Sequence, residues 1–201
     1  MIDRKKYMDE KEIKQLIKAV KSWHDADLYK GRIQGPKTWM LVDVALSTGL
    51  RVSELVNLKV SDIDFKRKAL SVVRLKKRKK VVETLAVPDS LIAHLRQYLD
   101  GRTDGYLFVG KRGPLKKGGL QIIWKQAIKR AGLPKDLSIH TARHSMGFHL
   151  LKKTKNLRQV QKQLGHTSPA MTANFYADVS FDEMQSGVNG LYAENEDSPA
   201  P

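Results

Sequence analysis

Three short stretches carry side chains whose types and spacing suit work on a phosphate. In TGLRVSELVNL, residues 48–58, Gly49 closes the preceding segment, and Val52, Leu55, Val56 and Leu58 recur at helical spacing. Arg51 therefore falls in the first turn of a helix, near the positive end of its dipole. A cation there calls for a counter-charge. Either a neighbouring carboxylate, Glu54 or Asp43, supplies it, or an anion from outside the protein does.

The second stretch, HTARH at 140–144, places His140 and Arg143 three apart on one face of a helix start. His140 and His144, four apart, also have the spacing of a zinc pair. Position 142 is an alanine, however, and the Glu of a zinc-hydrolase helix is missing. A capping histidine beside a surface arginine is the plain alternative. The third stretch, LGHTSPAMTANFY at 164–176, stops a helix at Gly165, exposes His166 on the turn and restarts a helix at Ser168-Pro169. A histidine at such a junction can donate to an oxyanion, or it is an ordinary loop residue. Tyr176 has polar neighbours in Asn174 and Asp178, whereas a core tyrosine would have apolar ones.

Together these residue types suit one reaction. Attack on phosphorus builds charge on the non-bridging oxygens, which two guanidinium forks neutralise bidentately. Histidines donate or relay protons, and a phenolic oxygen forms the covalent link. No carboxylate cluster suited to magnesium accompanies them, so side chains must supply the cations and no cofactor is implied.

Composition bounds the partner. The 201 residues are 41% hydrophobic and 29% charged, enough for one core and one compact domain. A formal net charge of +16, with an acidic end at Glu194, Glu196 and Asp197, predicts a polyanionic partner, nucleic acid above all, with an ordinary basic protein as the alternative. No run approaches the roughly 18 apolar residues of a membrane span, and the start MIDRKKYMDEKE lacks an apolar signal core. A cytoplasmic protein with no membrane partner is expected. The absence of cysteine excludes a disulfide framework, a thiol nucleophile and any Cys-ligated zinc.

The elements that must position these side chains read as follows. Asp9-x-x-Glu12 is a capping-box-like start for a helix running to about Trp23, and residues 25–37 read as a loop. A second, strongly apolar helix follows Pro36 and ends at Gly49, handing over to the Arg51 helix. Ser61 to Phe65 is a turn. Ala69–Leu75 and Val81–Val87 are β-branched runs forming a hairpin whose basic tip is residues 76–80. Pro88-Asp89 opens a helix, and Tyr106–Val109 reads as a third strand. Further helices are expected at about 120–131, 141–153, 157–164 and 169–176, and an amphipathic piece at 181–191. The fold class is mixed α/β, mainly α, helices around a small three-stranded antiparallel sheet. Residues 1–191 are expected to form the domain and 192–201 a disordered acidic tail.

The motifs TGLRVSEL, HTARHSMG and LGHTSPAMTANFY, in this order and with the hairpin lysines between them, resemble the catalytic domain of the tyrosine recombinases (phage integrases) over about residues 8–191. The resemblance implies that Arg51 and Arg143 clamp a scissile DNA phosphate. It further implies that His140 serves in proton transfer, His166 donates to the phosphate and Tyr176 forms a 3′-phosphotyrosyl bond. The family's general-acid lysine sits where the second strand meets the hairpin turn. Lys76 or Lys77 takes that place at the strand end, whereas counting back from Pro88 picks Lys80. The implied partner is double-stranded DNA, held by a homotetramer of protomers that are monomers when free, with residues 181–191 docking on a neighbour or folding back on their own core.

Typical members carry an N-terminal helical domain. Here about seven residues precede the first helix, as in a naturally short recombinase or a catalytic fragment. Among the tyrosines, only Tyr176 follows the LGH turn at a distance one short helix spans. Tyr7 precedes the expected fold, Tyr98 shares an apolar face with Leu91 and Leu95, Tyr106 opens a strand and Tyr192 begins the tail. A type IB-like topoisomerase shares the same set of side chains and is the alternative function. A non-catalytic basic DNA-binding protein is the remaining one.

Overall fold

The computed structural model describes residues 7–76 and 79–165, with side chains left out at 75 and 76. Lys77, His166, Tyr176, the 181–191 segment and the acidic end lie outside the described residues. The elements are α1 (Glu10–Tyr29), α2 (Gln34–Thr48), α3 (Val52–Asn57), β1 (Ile63–Asp64), β2 (Ala69–Lys76), β3 (Lys79–Ala86), α4 (Asp89–Leu99), β4 (Val109–Gly110), β5 (Gly113–Pro114), α5 (Lys117–Arg130), α6 (Ile139–Thr154) and α7 (Leu157–Leu164). A mainly helical layer thus surrounds an antiparallel sheet in the order β1-β2-β3.

Asp9 caps α1 as expected: its carboxylate accepts from the Glu12 N–H at 2.8 Å, and Glu12 accepts from the Asp9 N–H at 2.9 Å. The helix continues past Trp23 to Tyr29, however, so the loop expected at 25–37 shrinks to four residues, 30–33. The reason is Asp27, a buried carboxylate that accepts the Gly35 N–H at 2.9 Å and so ties the end of α1 to the start of α2. Polar spacing in the sequence hides a helical turn whose charge faces inward. The segment before α1 also belongs to the fold. Met8 is fully buried, its N–H donates to Ser145 Oγ at 2.8 Å, and Tyr7 stacks on Phe148 of α6 at 4.1 Å between ring centres.

The sheet has the expected three strands with a different third member. Ile63–Asp64, expected as a turn, pairs with Leu70 and Ala69. Tyr106 makes only an isolated bridge to Lys59, while Val109–Gly110 pairs with Gly113–Pro114 in a separate ribbon. The carbonyls of Tyr106 and Leu107 are instead satisfied by Arg102, whose Nη1 and Nη2 donate to them at 3.1 and 3.0 Å. Leu107 and Phe108 are buried, so the apolar run reflects core packing rather than a sheet ladder. In the hairpin, β2 and β3 pair from Ala69–Ala86 to Lys76–Lys79, so Lys76, Lys79 and Lys80, expected at the tip, belong to the ladder.

One core joins α1 to α5, the sheet and the start of α6, and α2 is its centre, with Met40, Leu41, Val42 and Val44 fully buried. A satellite cluster of Leu151, Val160 and Leu164 seats α7 on α6. The C-terminal ends of α2 and α7 and the start of α6 meet, which fixes the geometry of the site.

The close approach of α1 and α2 needs a missing side chain. A Cβ at Gly35 would overlap the Trp23 carbonyl oxygen and lie 2.9 Å from Asp27 Cβ. Gly35→Ala is therefore expected to cost about 1–3 kcal/mol as overpacking. The cost should read as a lower urea midpoint at unchanged slope, and an unaltered midpoint would contradict the packing described.

Candidate active site

Arg51 is the N-cap of α3, with extended backbone at φ −68° and ψ 153°. Glu54, one turn on, holds it twice: Oε2 accepts the Arg51 backbone N–H at 2.8 Å and Oε1 accepts Nη1 at 2.9 Å. The sequence left Glu54 and Asp43 open as partners, and the structure selects Glu54. Asp43 faces α4 and pairs with His94 Nδ1 at 2.7 Å. Glu54 is buried while the Arg51 side chain keeps 39% of its exposure. The guanidinium is thus anchored from behind and open in front. It lines a cavity of about 640 Å³ together with Ser53, Lys59, Arg74, Lys80 and Tyr106.

Arg143, only 3% exposed, lies on α6 one turn from its start. Ser138 caps that helix, accepting the Thr141 N–H at 3.3 Å, and so sets the phase that turns Arg143 inward. Its Nη1 donates to the Gly49 carbonyl at 2.7 Å and its Nη2 to the Leu164 carbonyl. Both acceptors stand at helix C-termini, where unsatisfied carbonyls and the negative dipole end favour a cation. Gly49 takes φ 64°, and a Cβ there would meet Leu164 Cδ2 at 2.6 Å, so glycine lets α2 and α7 converge on this guanidinium. Burial, together with the Arg51 and Arg74 charges and against the pull of Glu54, lowers the Arg143 pKa to about 10.

His140 stands at the exposed start of α6, its ring edge-on to His144 at 4.4 Å between centres. Desolvation, then Arg143 and then Arg51, hold its pKa below the ordinary 6.5. The neutral imidazole therefore prevails at pH 7. Among the described residues no three His, Cys, Asp or Glu side chains converge as metal ligands would.

A residue that the sequence did not single out completes the cluster. Arg74 of β2 is 2% exposed; its Nη1 pairs with Glu83 Oε2 at 2.7 Å and its Nη2 donates to the Gln163 carbonyl at 2.9 Å. Its Nε lies 3.6 Å from Glu54 Oε1. The one available signal was a charged residue at an inward position of an alternating strand, two after the buried Val72. Among the described residues, three arginines, Arg51, Arg74 and Arg143, thus lie around two carboxylates, Glu54 and Glu83, one positive charge more than these acids balance. Of the lysines, Lys80 lines the cavity beside Arg51, and the Lys76 backbone forms the last ladder pair before the turn, opposite Lys79.

The sequence pattern of the phage integrase family matches residues 6–183. The chain belongs to this family. Among relatives, the tyrosine recombinase XerA of Pyrococcus furiosus is 33% identical over 189 residues, 91% of this chain and 60% of that protein. Tyrosine recombinase XerC of Herpetosiphon aurantiacus is 36% identical over 158 residues, 74% of this chain and 50% of that one. This phage integrase family member thus spans between half and three-fifths of the length of those relatives. The crystal structure of a XerA recombinase superposes with a TM-score of 0.70 at 26% identity, covering 94% of this chain and 66% of that one. The Tn1549 transposon integrase in complex with circular intermediate DNA shares the fold, with a TM-score of 0.75 at 20% identity over 92% of this chain and 66% of that one.

The arginine cluster makes a titration prediction. Because the folded-state pKa of His140 lies below 6.5, the folded protein takes up this proton later than the unfolded chain. The associated stability is complete above pH 6.5 and is lost as pH falls toward the folded value. An NMR titration should place the His140 midpoint below 6.5, and Arg51→Ala should raise it by removing one of the opposing charges. A midpoint that Arg51→Ala leaves in place would contradict the electrostatic reading.

Proposed function

We propose that this chain is the catalytic domain of a site-specific recombinase that breaks and rejoins double-stranded DNA through a covalent link to Tyr176. The observation that carries the reading is the excess positive charge of the arginine cluster, with Arg51 held from behind by Glu54 and open to the cavity in front. A phosphodiester supplies the missing anion. Arg51 and Arg143 neutralise its non-bridging oxygens as charge grows on them in the transition state. The Tyr176 oxygen attacks phosphorus, the bond to the 5′ oxygen breaks, and a 3′-phosphotyrosyl link forms. His140, neutral at pH 7, takes part in proton transfer, and His166 donates to the phosphate. The 5′ oxygen of a partner strand then reverses the step and releases Tyr176. The link conserves the phosphodiester bond, so the scheme needs no nucleotide.

A lysine protonates the departing 5′ oxygen. Lys76 or Lys77, at the strand end, is the first assignment; Lys80 is a second reading, favoured by its place in the wall of the cavity beside Arg51. The basic hairpin and the Lys111, Arg112, Lys116 and Lys117 loop would carry the duplex. Four protomers would act on two duplexes, each a monomer when free, with the 181–191 segment reaching a neighbour and 192–201 forming an acidic tail. The cytoplasm is the proposed compartment. Among the described residues no helix is long and apolar enough to cross a membrane.

Tyr176→Phe removes one oxygen at nearly constant volume, so folding and duplex binding should survive while the covalent product disappears. A denaturing gel of protein incubated with a nicked duplex carrying its recombination site tests this directly. Persistence of a denaturant-resistant adduct in the Tyr176→Phe protein would overturn the assignment of the nucleophile.

A further inference from the structure

Arg74 has three features that simple packing of a sheet onto helices does not require. Its guanidinium is buried yet divided among three elements: Glu83 on the neighbouring strand, the Gln163 carbonyl at the end of α7, and Glu54 on α3. Its Nε is the one buried side-chain nitrogen or oxygen among the described residues without a hydrogen-bond partner, although Glu54 Oε1 stands 3.6 Å away. The guanidinium also lies against the Gly165 backbone so closely that a Cβ at Gly165 would overlap Nη1 and crowd Cζ and Cδ, the last at 2.7 Å. Gly165, at φ 64°, is the C-cap of α7 and is followed directly by His166.

We infer that Arg74 is a positioning residue: its buried guanidinium sets the backbone at Gly165, where the chain leaves α7, and holds that exit in register with Glu54 and thus with Arg51. The inference rests on the recombinase reading above and deepens it. Two helix ends and one strand meet at this side chain, and a planar fork with five N–H donors can serve all three at fixed angles where a lysine ammonium cannot. Two carboxylates, Glu54 and Glu83, compensate its burial.

The unpartnered Nε gives the arrangement a second position. Glu54 Oε1 is shared: it binds Arg51 Nη1 at 2.9 Å and faces Arg74 Nε at 3.6 Å. When a phosphate draws the Arg51 guanidinium forward, Glu54 Oε1 loses part of its partner. A small rotation then carries it onto the waiting Arg74 N–H, satisfying both groups. Arg51 is released to the anion without leaving a buried carboxylate bare, and the exit from α7 is tightened at the same moment.

The test compares Arg74→Lys and Gly165→Ala with the unaltered protein, using a nicked duplex carrying the recombination site at saturating concentration. Arg74→Lys keeps the charge and loses the fork. Gly165→Ala changes no charge and displaces the guanidinium. In each folded variant, duplex affinity should stay within about threefold, while the rate of covalent adduct formation falls on the order of a hundredfold, as a misplacement of about 1 Å produces. Should Arg74→Lys fail to fold, Gly165→Ala carries the comparison.

Adduct rates within threefold of the unaltered protein in the folded variants, or a loss confined to affinity, would overturn the inference. The recombinase reading fails separately, if the unaltered protein forms no adduct. In that event the Arg74 Nε–H proton resonance decides the role of Arg74. On addition of inorganic phosphate it should move downfield as Glu54 engages it, and a resonance that stays in place would refute the handover.

Discussion

Like charges held together out of water are the constraint on which this fold depends. Arg143 and Arg74 are almost fully buried and Arg51 stands beside them, with Glu54 and Glu83 in opposition among the described residues. Burying an unpaired guanidinium costs several kcal/mol, so each must be surrounded by acceptors that cannot move away. The chain provides them from its most rigid parts: the carbonyls of Gly49 and Leu164 for Arg143, and the carbonyl of Gln163 for Arg74. Helix ends thus take the place of further carboxylates. Full neutralisation by acids would have stabilised the cluster and left nothing for a ligand.

That residual charge links stability to chemistry. A site that stabilises charge appearing on phosphorus oxygens gains most from donors already aimed at it. Burial first and the Arg51 charge second lower the Arg143 pKa to about 10. Burial first, and then the Arg143 and Arg51 charges, hold the His140 pKa below its ordinary 6.5 as well. One electrostatic arrangement would therefore serve both the proposed anion clamp and the proposed proton relay.

Much of this was legible in the sequence because the informative residues sit at helix boundaries, which glycine and capping patterns mark. Gly49 before Arg51 and Gly165 after Leu164 each announce a helix end, and the structure places both ends there, whereas the Ser138 cap that starts α6 was not read from the sequence. Arg74 was not legible. A charged residue in a basic hairpin reads as surface, and only long-range pairing with Glu54 and with α7 buries it. The reach of α1 to Tyr29 was hidden for a similar reason, since Asp27 turns inward to the Gly35 N–H across the helix turn. The strand expected at 106–109 failed because Arg102 satisfies its carbonyls from a side chain, an arrangement that alternation of residue types does not encode.

If the charge missing from the arginine cluster is that of one DNA phosphate, a duplex in which that phosphate is chemically neutralised should no longer need Arg51. Sequencing the strand that remains attached to the protein maps the phosphodiester concerned. A duplex can then carry a methylphosphonate at that single position, which removes one negative charge and leaves phosphorus open to attack. Adduct formation by the Arg51→Ala protein is to be compared on the two duplexes. The account predicts that the variant, inactive on ordinary DNA, recovers adduct formation on the methylphosphonate duplex, because the charge Arg51 would have balanced is gone. Equal inactivity on both duplexes, with binding intact, would contradict it.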